Sequence, residues 1–261
     1  MDGYSRRVKS EPLALLGASC PTGCKNCGLR ANSAFLSGSA AELDAIADFR
    51  QGTRVVEAGA TIVPEHGTSS RLFTLYSGWA FRYKTLSDGR RQILNFLLPG
   101  DFIGLQDEFA DGQTHGVEAA TTCTLCVFPR DRLWQVLHSQ PKLGYDLTWL
   151  AAREEKMVDD NLVTNGRRNA IERVAMLLMH LYRRAERVGM AHKGGIEFPF
   201  NQQHMADALG LSLVHTNKTL RRLRQLGLHS LEGGALCILN AAALESLGDY
   251  FERPLRPVPL I

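Results

Sequence analysis

FNQQHMADALGLSLVHTNKTLRRLRQLGL, running from Phe200 to Leu228, is the stretch on which the reading of this chain turns. Asn201 is a good N-cap for a first helix that carries Met205, Ala206 and Leu209 inward. Gly210 interrupts that helix where a turn needs positive φ, and Ser212 can cap a second one. The second helix sets Leu213, Thr216, Leu220 and Leu223 toward one side. His215, Asn217, Lys218, Arg221 and Arg222 are left largely on the other. Two short helices joined by a glycine turn, the second rich in donors, predict a helix-turn-helix. Between Asn201 and Glu232 the bases are Lys218, Arg221, Arg222 and Arg224, against the acids Asp207 and Glu232. The bases therefore cluster on the second helix, as a phosphate footprint requires. A helical bundle with a solvated basic face is the plainer reading, but turn, caps and charge agree on DNA. Leu228, Leu231 and Leu236 around Glu232-Gly233-Gly234 then read as a wing hairpin.

The rest of the chain supplies the setting. Its 261 residues suggest two domains at about 150 residues each. Hydrophobic residues at 44% and charged residues at 22% are ordinary globular usage. Thirty Lys and Arg against 27 Asp and Glu leave a formal charge of +3, too mild to argue for nucleic acid unless the charges are placed for it. No run approaches the ~18 apolar residues of a membrane span. The patch Leu13 to Leu16, set against Pro12, is too short for a signal-peptide core, so a cytoplasmic protein with no membrane partner is expected. No Ser/His/Asp, paired-carboxylate or P-loop arrangement occurs in plausible context, and an enzyme is not expected.

AELDAIADFR (Ala41 to Arg50) has helical spacing through Leu43, Ile46, Ala47 and Phe49. From Gln51 to Pro129 short β-type runs alternate with turn residues such as Ser77-Gly78, Ser87-Asp88-Gly89 and Pro99-Gly100-Asp101, which predicts a jelly-roll barrel or sandwich. PKLGYDLTWLAAREEKMVDDNLVTNG, from Pro141, predicts one long helix. Its residues Leu143, Leu147, Leu150, Glu154, Met157 and Asn161 alternate four and three apart, the spacing of a dimer seam. A helix lying on its own barrel would use the same residues, and Glu154 would weaken a dimer by burying a charge. RRNAIERVAMLLMHLYRRAERVG is amphipathic and ended by Gly189. The expected class is α+β: a leader (1–35), a β-roll sensor domain (36–140), a dimerisation helix (141–166), a winged helix-turn-helix (167–248) and an irregular tail (249–261).

In that order, a β-roll, a seam helix and a winged helix-turn-helix resemble the CRP/FNR family of bacterial transcription regulators over almost the whole chain. GDFIGLQDEFADGQTHGVEA is close to the family's sensor-roll signature. The resemblance implies a homodimer on palindromic double-stranded DNA, with RNA polymerase as a partner. Cyclic-nucleotide-binding members carry Gly-Glu and a later Arg-Ser pair for ribose and phosphate. Gly104-Leu105 and His115-Gly116 stand at those positions here. A buried phosphate without its arginine is costly, so cyclic AMP is not expected as the effector.

The cysteines carry the alternative. In a reducing compartment six cysteines are unsuited to a disulfide framework. Cys20, Cys24 and Cys27 form C-x3-C-x2-C, able to hold three corners of a cubane cluster, with a fourth thiolate from elsewhere. FNR-type regulators add one cysteine late in the roll, just before a proline. Cys126, in Cys126-Val127-Phe128-Pro129, stands at that position, and Cys123 is the reserve although an offset of three turns it to the opposite strand face. The leader spacing differs from FNR proper, whose longer gap comes second. C-x3-C-x2-C also resembles the radical-SAM motif, but the (β/α) barrel that motif needs is missing. Four thiolates suit zinc too. Cys237 reads as a small buried residue of the wing.

The resemblance thus implies an iron–sulfur cluster of the 4Fe-4S type on Cys20, Cys24, Cys27 and Cys126. O2 acting on it, or nitric oxide acting on the same iron, would loosen leader, dimer and DNA binding in turn. The other reading is a family member sensing another small molecule in the roll, with the cysteines holding zinc or no metal. FNR-type recognition helices read bases with Glu-x-x-Ser-Arg, and Val214, Asn217 and Lys218 hold those positions here. Lys218 can donate to guanine, Asn217 can pair with adenine and Val214 can touch a thymine methyl, which implies an A·T-rich palindrome. Ser212, His215, Thr216 and Arg221 are the expected phosphate contacts. His66 and His115 are expected to be exposed loop residues without a ligand role.

Overall fold

Ser39 opens the first helix, α1 (Ala40–Phe49), through a capping box with Glu42, and Ile46 and Phe49 are the side chains it buries. The computed structural model describes residues 23–67, 69–108, 115–192, 195–250 and 256–261. After α1 the alternating runs become β1 (Gly52–Val56), β2 (Thr61–Val63), β3 (Arg71–Ser77), β4 (Ala80–Thr85), β5 (Arg91–Leu97), β6 (Phe102–Ile103), β7 (Gly116–Ala119) and β8 (Cys123–Pro129). They pair into two antiparallel sheets, ordered β1-β8-β3-β6 and β2-β7-β4-β5. Between the sheets lie Val63, Phe73, Leu75, Leu97, Val117, Leu125 and Val127, an apolar filling of the kind that holds a jelly roll. The β3–β4 turn needs glycine. Gly78 has φ +94, and a Cβ there would lie 2.5 Å from Thr122 O.

Two helices follow the roll, α2 (Leu133–Ser139) and the 27-residue α3 (Pro141–Arg167), the latter with proline in its first turn. Here a sequence expectation is corrected. Leu143, Leu147, Leu150 and Met157 are buried within the single chain, the three leucines in one cluster with Phe128, Leu133 and Val136. Glu154 pairs with Arg82 of β4 at 3.0 Å and accepts from Asn95 of β5 at 3.1 Å. Asn161 donates to Leu94 O at 2.8 Å. Five of the six residues assigned to a dimer seam therefore pack on the roll and α2, the buried Met157 lines a cavity with Met176 and His180, and the apparent cost of Glu154 is met by an arginine the helix pattern does not reveal. The face left in the open runs one residue later.

The winged domain begins with α4 (Ala170–Arg187), capped by Asn169 and Glu172. It continues through β9 (Ala191–His192), β10 (Gly195–Glu197), α5 (Gln202–Leu209), α6 (Leu213–Gln225), β11 (His229–Glu232), β12 (Ala235–Ile238) and α7 (Ala241–Gly248). The wing strands form one antiparallel sheet, β11-β12-β10-β9. This domain and the roll share a core: Trp79, Phe81, Ile93 and Phe96 meet Phe198, Phe200, Met205 and Leu209. The Phe96 and Phe200 rings are 4.4 Å apart, and Gln92 donates to Ala208 O at 3.0 Å. Asp101 fastens the junction. Buried, it binds Arg184 of α4 at 2.5 Å and Arg153 of α3 at 3.0 Å, and accepts from Leu98 N at 2.8 Å. Burial pushes its carboxyl upward, but the two guanidinium groups and the backbone donor outweigh it and hold it below the usual range. Among the described residues no helix is long and apolar enough to cross a membrane.

Candidate nucleic-acid interface and cysteine pocket

The two helices that read as a DNA-binding pair are set by local chemistry. Asn201 accepts from His204 N at 2.9 Å to start α5, and Gly210 ends it in the left-handed region at φ +61. Ser212 accepts from His215 N at 3.2 Å to start α6. With α5 against β5, α6 turns outward. Val214 is 78% exposed, and His215, Asn217, Lys218, Arg221, Arg222 and Arg224 are exposed beside it. Inward go Thr219, Leu220 and Leu223, whereas Leu213 is open to solvent. Thr216 is corrected: it is 0% exposed, and among the described residues its Oγ1 has no partner, so it cannot reach a phosphate. The outer face is a row of cationic and amide donors with the exposed Leu213 and Val214 at its start, suited to a groove lined by phosphates.

The second cluster lies on the opposite side of the roll. Cys24 and Cys27, half-buried on the leader before a short 3-10 turn (Gly28–Ala31), line one cavity with Cys126. Strand alternation explains the choice between the two late cysteines. Cys126 pairs in register with Thr53 and Thr74 and points outward, whereas Cys123 faces the filling between the sheets. Cys123 donates to Trp79 O at 3.2 Å, and burial pushes its thiol up to about 11, the wrong direction for a ligand. Cys20 lies outside the described residues. Arg30 and Arg50 line the same cavity, and among the described residues Arg30 Nε and Arg50 Nη1 are buried without a hydrogen-bond partner. Burial pulls the Arg30 pKa down while Cys27, Cys24 and Cys126 pull it up.

Soft sulfur donors with two unpartnered guanidinium N–H groups fit a thiolate-ligated anionic group. Among the described residues, no three His, Cys, Asp or Glu side chains are arranged to hold a metal ion. The sequence reading found the thiols and missed the arginines. It also missed Leu260 and Ile261, which close the cavity from the tail. Their only signal was an apolar run, Pro257-Val258-Pro259-Leu260-Ile261, in a segment without period.

Inside the roll, His115 is corrected from exposed to buried, and desolvation followed by the nearby Arg82 lowers its pKa to about 4. His66 is exposed, in a positive-φ turn. Cys237, expected to be buried, is half-buried on β12.

Comparison with known proteins agrees with this architecture. Residues 53–140 match the family model described as a cyclic nucleotide-binding domain, and residues 172–247 match the Crp-like helix-turn-helix domain. The chain is 31% identical over 228 residues to the nitrogen fixation regulation protein FixK of Bradyrhizobium diazoefficiens, covering 86% of this chain and 93% of that one. It is 27% identical over 231 residues to the transcriptional activator protein FnrL of Cereibacter sphaeroides, 87% and 92% of the two chains. The solved structure of FixK2 from Bradyrhizobium japonicum superposes with a TM-score of 0.68 at 28% identity, over 75% of this chain and 96% of the other. Domain order, the outward α6 and these similarities lead to one assignment, which carries DNA binding and dimerisation with it: the chain belongs to the CRP/FNR family of transcription regulators.

Proposed function

We propose that this regulator responds to oxygen, holding a 4Fe-4S cluster on Cys20, Cys24, Cys27 and Cys126 and binding an A·T-rich palindrome as a homodimer. One observation carries the reading: Cys24, Cys27 and Cys126, from leader and roll, line one cavity together with Arg30 and Arg50, each of which has a buried guanidinium nitrogen without a partner among the described residues. When bound, such a cluster supplies iron that reacts with O2 and with nitric oxide. Cys126 is the rigid member, fixed in the β-ladder, and the leader thiols sit on a short turn. Sharing ligands ties that turn to the roll, so metal binding and leader ordering are one equilibrium. Arg30 and Arg50 would donate to the cluster and offset its negative charge. The similarity to Fnr-named activators supports this branch of the family.

On DNA, Lys218, Asn217 and Val214 read bases while Ser212, His215 and Arg221 hold phosphates, and RNA polymerase is the expected partner at the promoter. The dimer surface is the open face of α3: Gly144, Thr148, Ala151, Glu155, Val158 and Leu162, again four and three apart. Val158 is 40% and Leu162 71% exposed in the single chain. Anoxic purification should give a brown protein with about four iron and four sulfide per chain, lost in the Cys24→Ser and Cys126→Ser variants. Its DNA affinity should fall on exposure to air. Zinc alone would make the cysteines a staple, and a metal-free protein that binds DNA equally well in air would remove oxygen sensing altogether.

A further inference from the structure

We propose that the roll and leader form a peptide-binding groove beside the cysteine pocket, and that its occupant is the chain's own residues 256–261. The tail runs there in extended form, joined to the leader by one isolated bridge. Val258 N donates to Ala34 O at 2.8 Å and Leu36 N donates to Val258 O at 2.9 Å, a parallel bridge centred on Phe35. Main-chain hydrogen bonds with buried pockets for side chains are the means by which extended peptides are captured, here by the leader instead of a sheet edge. Arg30 Nη2 then donates to Leu260 O at 2.6 Å, and the buried Thr74 hydroxyl donates to Ile261 O at 2.7 Å. Val258, Leu260 and Ile261 are all buried, in one cluster with Phe35, Phe49, Leu72 and Phe128.

The segment is built for this seat. Pro257 and Pro259 hold it extended and remove amides the groove does not use, so less freedom is lost on docking. Leu260 and Ile261 form a wall of the cavity that Cys24, Cys27 and Cys126 line. The same segment is held at its start by the winged domain, where Arg187 of α4 donates to Arg256 O. Its occupant therefore covers the thiols at one end and follows the DNA-binding domain at the other. That this cover governs access of O2 to a cluster rests on the reading above; the groove and its occupant do not.

The test uses the metal-free, reduced full chain, alkylated with iodoacetamide and analysed by mass spectrometry cysteine by cysteine. With Val258→Asp and Leu260→Asp together, Cys24, Cys27 and Cys126 should react about tenfold faster, while the deeply buried Cys123 stays slow. Thr74→Val, which exchanges the hydroxyl that holds Ile261 for a methyl of similar size, should give a smaller rise at the same three thiols. A synthetic peptide of residues 256–261, Arg-Pro-Val-Pro-Leu-Ile, added to the double variant should restore slow labelling, and a scrambled peptide should not. Unchanged rates in both variants, no rescue by the peptide, or Cys123 accelerating in step with the others would each overturn the groove. Iron plays no part in this measurement, so a failure of the cluster reading leaves its outcome intact.

Discussion

Helix α6 buries threonine and leucine and offers arginine, lysine and asparagine to solvent. Helix α3 does something different with its two faces. It buries leucines against its own roll and leaves a second row in the open, small at the start and apolar toward Val158 and Leu162. An exposed face rich in fixed positive charge suits a partner that brings negative charge and sheds counterions. One that is small and apolar suits a surface like itself, since only closely packed, desolvated contact rewards it. The chain thus leaves two unlike faces open, and the division of roles proposed for them can be broken experimentally.

The largest effect should come from the open face of α3. Val158→Glu with Leu162→Glu should give monomers by sedimentation. Affinity for an intact two-half-site DNA should drop about 10²–10⁴-fold, because the second half-site is no longer tethered to the first. Leu147→Ala, on the other face, should cost about 2–5 kcal/mol in urea unfolding yet leave the dimer in place. The reverse pattern, dimers with glutamates at 158 and 162 and monomers with alanine at 147, would return the dimer role to the inward row.

On α6 the expected changes are smaller. Lys218→Ala should lose about 1–3 kcal/mol of discrimination at one base position, read as a flattened column in a binding selection. Arg221→Ala should weaken all sequences alike and reduce the salt slope by about one. An unaltered selection profile for the Lys218 variant would take it out of base reading. The smallest change is expected inside the helix. Thr216→Val replaces a buried, unpartnered hydroxyl with a methyl, so stability should stay within about 1 kcal/mol or rise, with DNA affinity unchanged.

These two helices also mark what was legible in the sequence. The turn at Gly210 and the caps at Asn201 and Ser212 fix where α6 starts, and that sets its rotation; Leu213 is open where an inward side chain was expected, and Thr216 is buried where a phosphate contact was expected. For α3 the period predicts a helix and a stripe, but apolar residues occur one position apart on two faces. The partners that decide between them, Arg82, Asn95 and the Leu94 carbonyl, sit on strands far away in the chain. The thiol cluster was half legible for the same reason. C-x3-C-x2-C is a local pattern, and the alternation of β8 separates Cys126 from Cys123. Arg30, Arg50, Leu260 and Ile261 enter the pocket through tertiary contact, which no short-range pattern announces.

Asp101 ties three parts of the chain together at one carboxylate. Placed on the roll and sequestered from water, it is shared by Arg184 of α4 and Arg153 of α3, and stranding it without either would cost about 3–5 kcal/mol. Drawing α4 away from the roll therefore means breaking a buried ion pair, and the junction between sensor and reader is stiffest at this one residue.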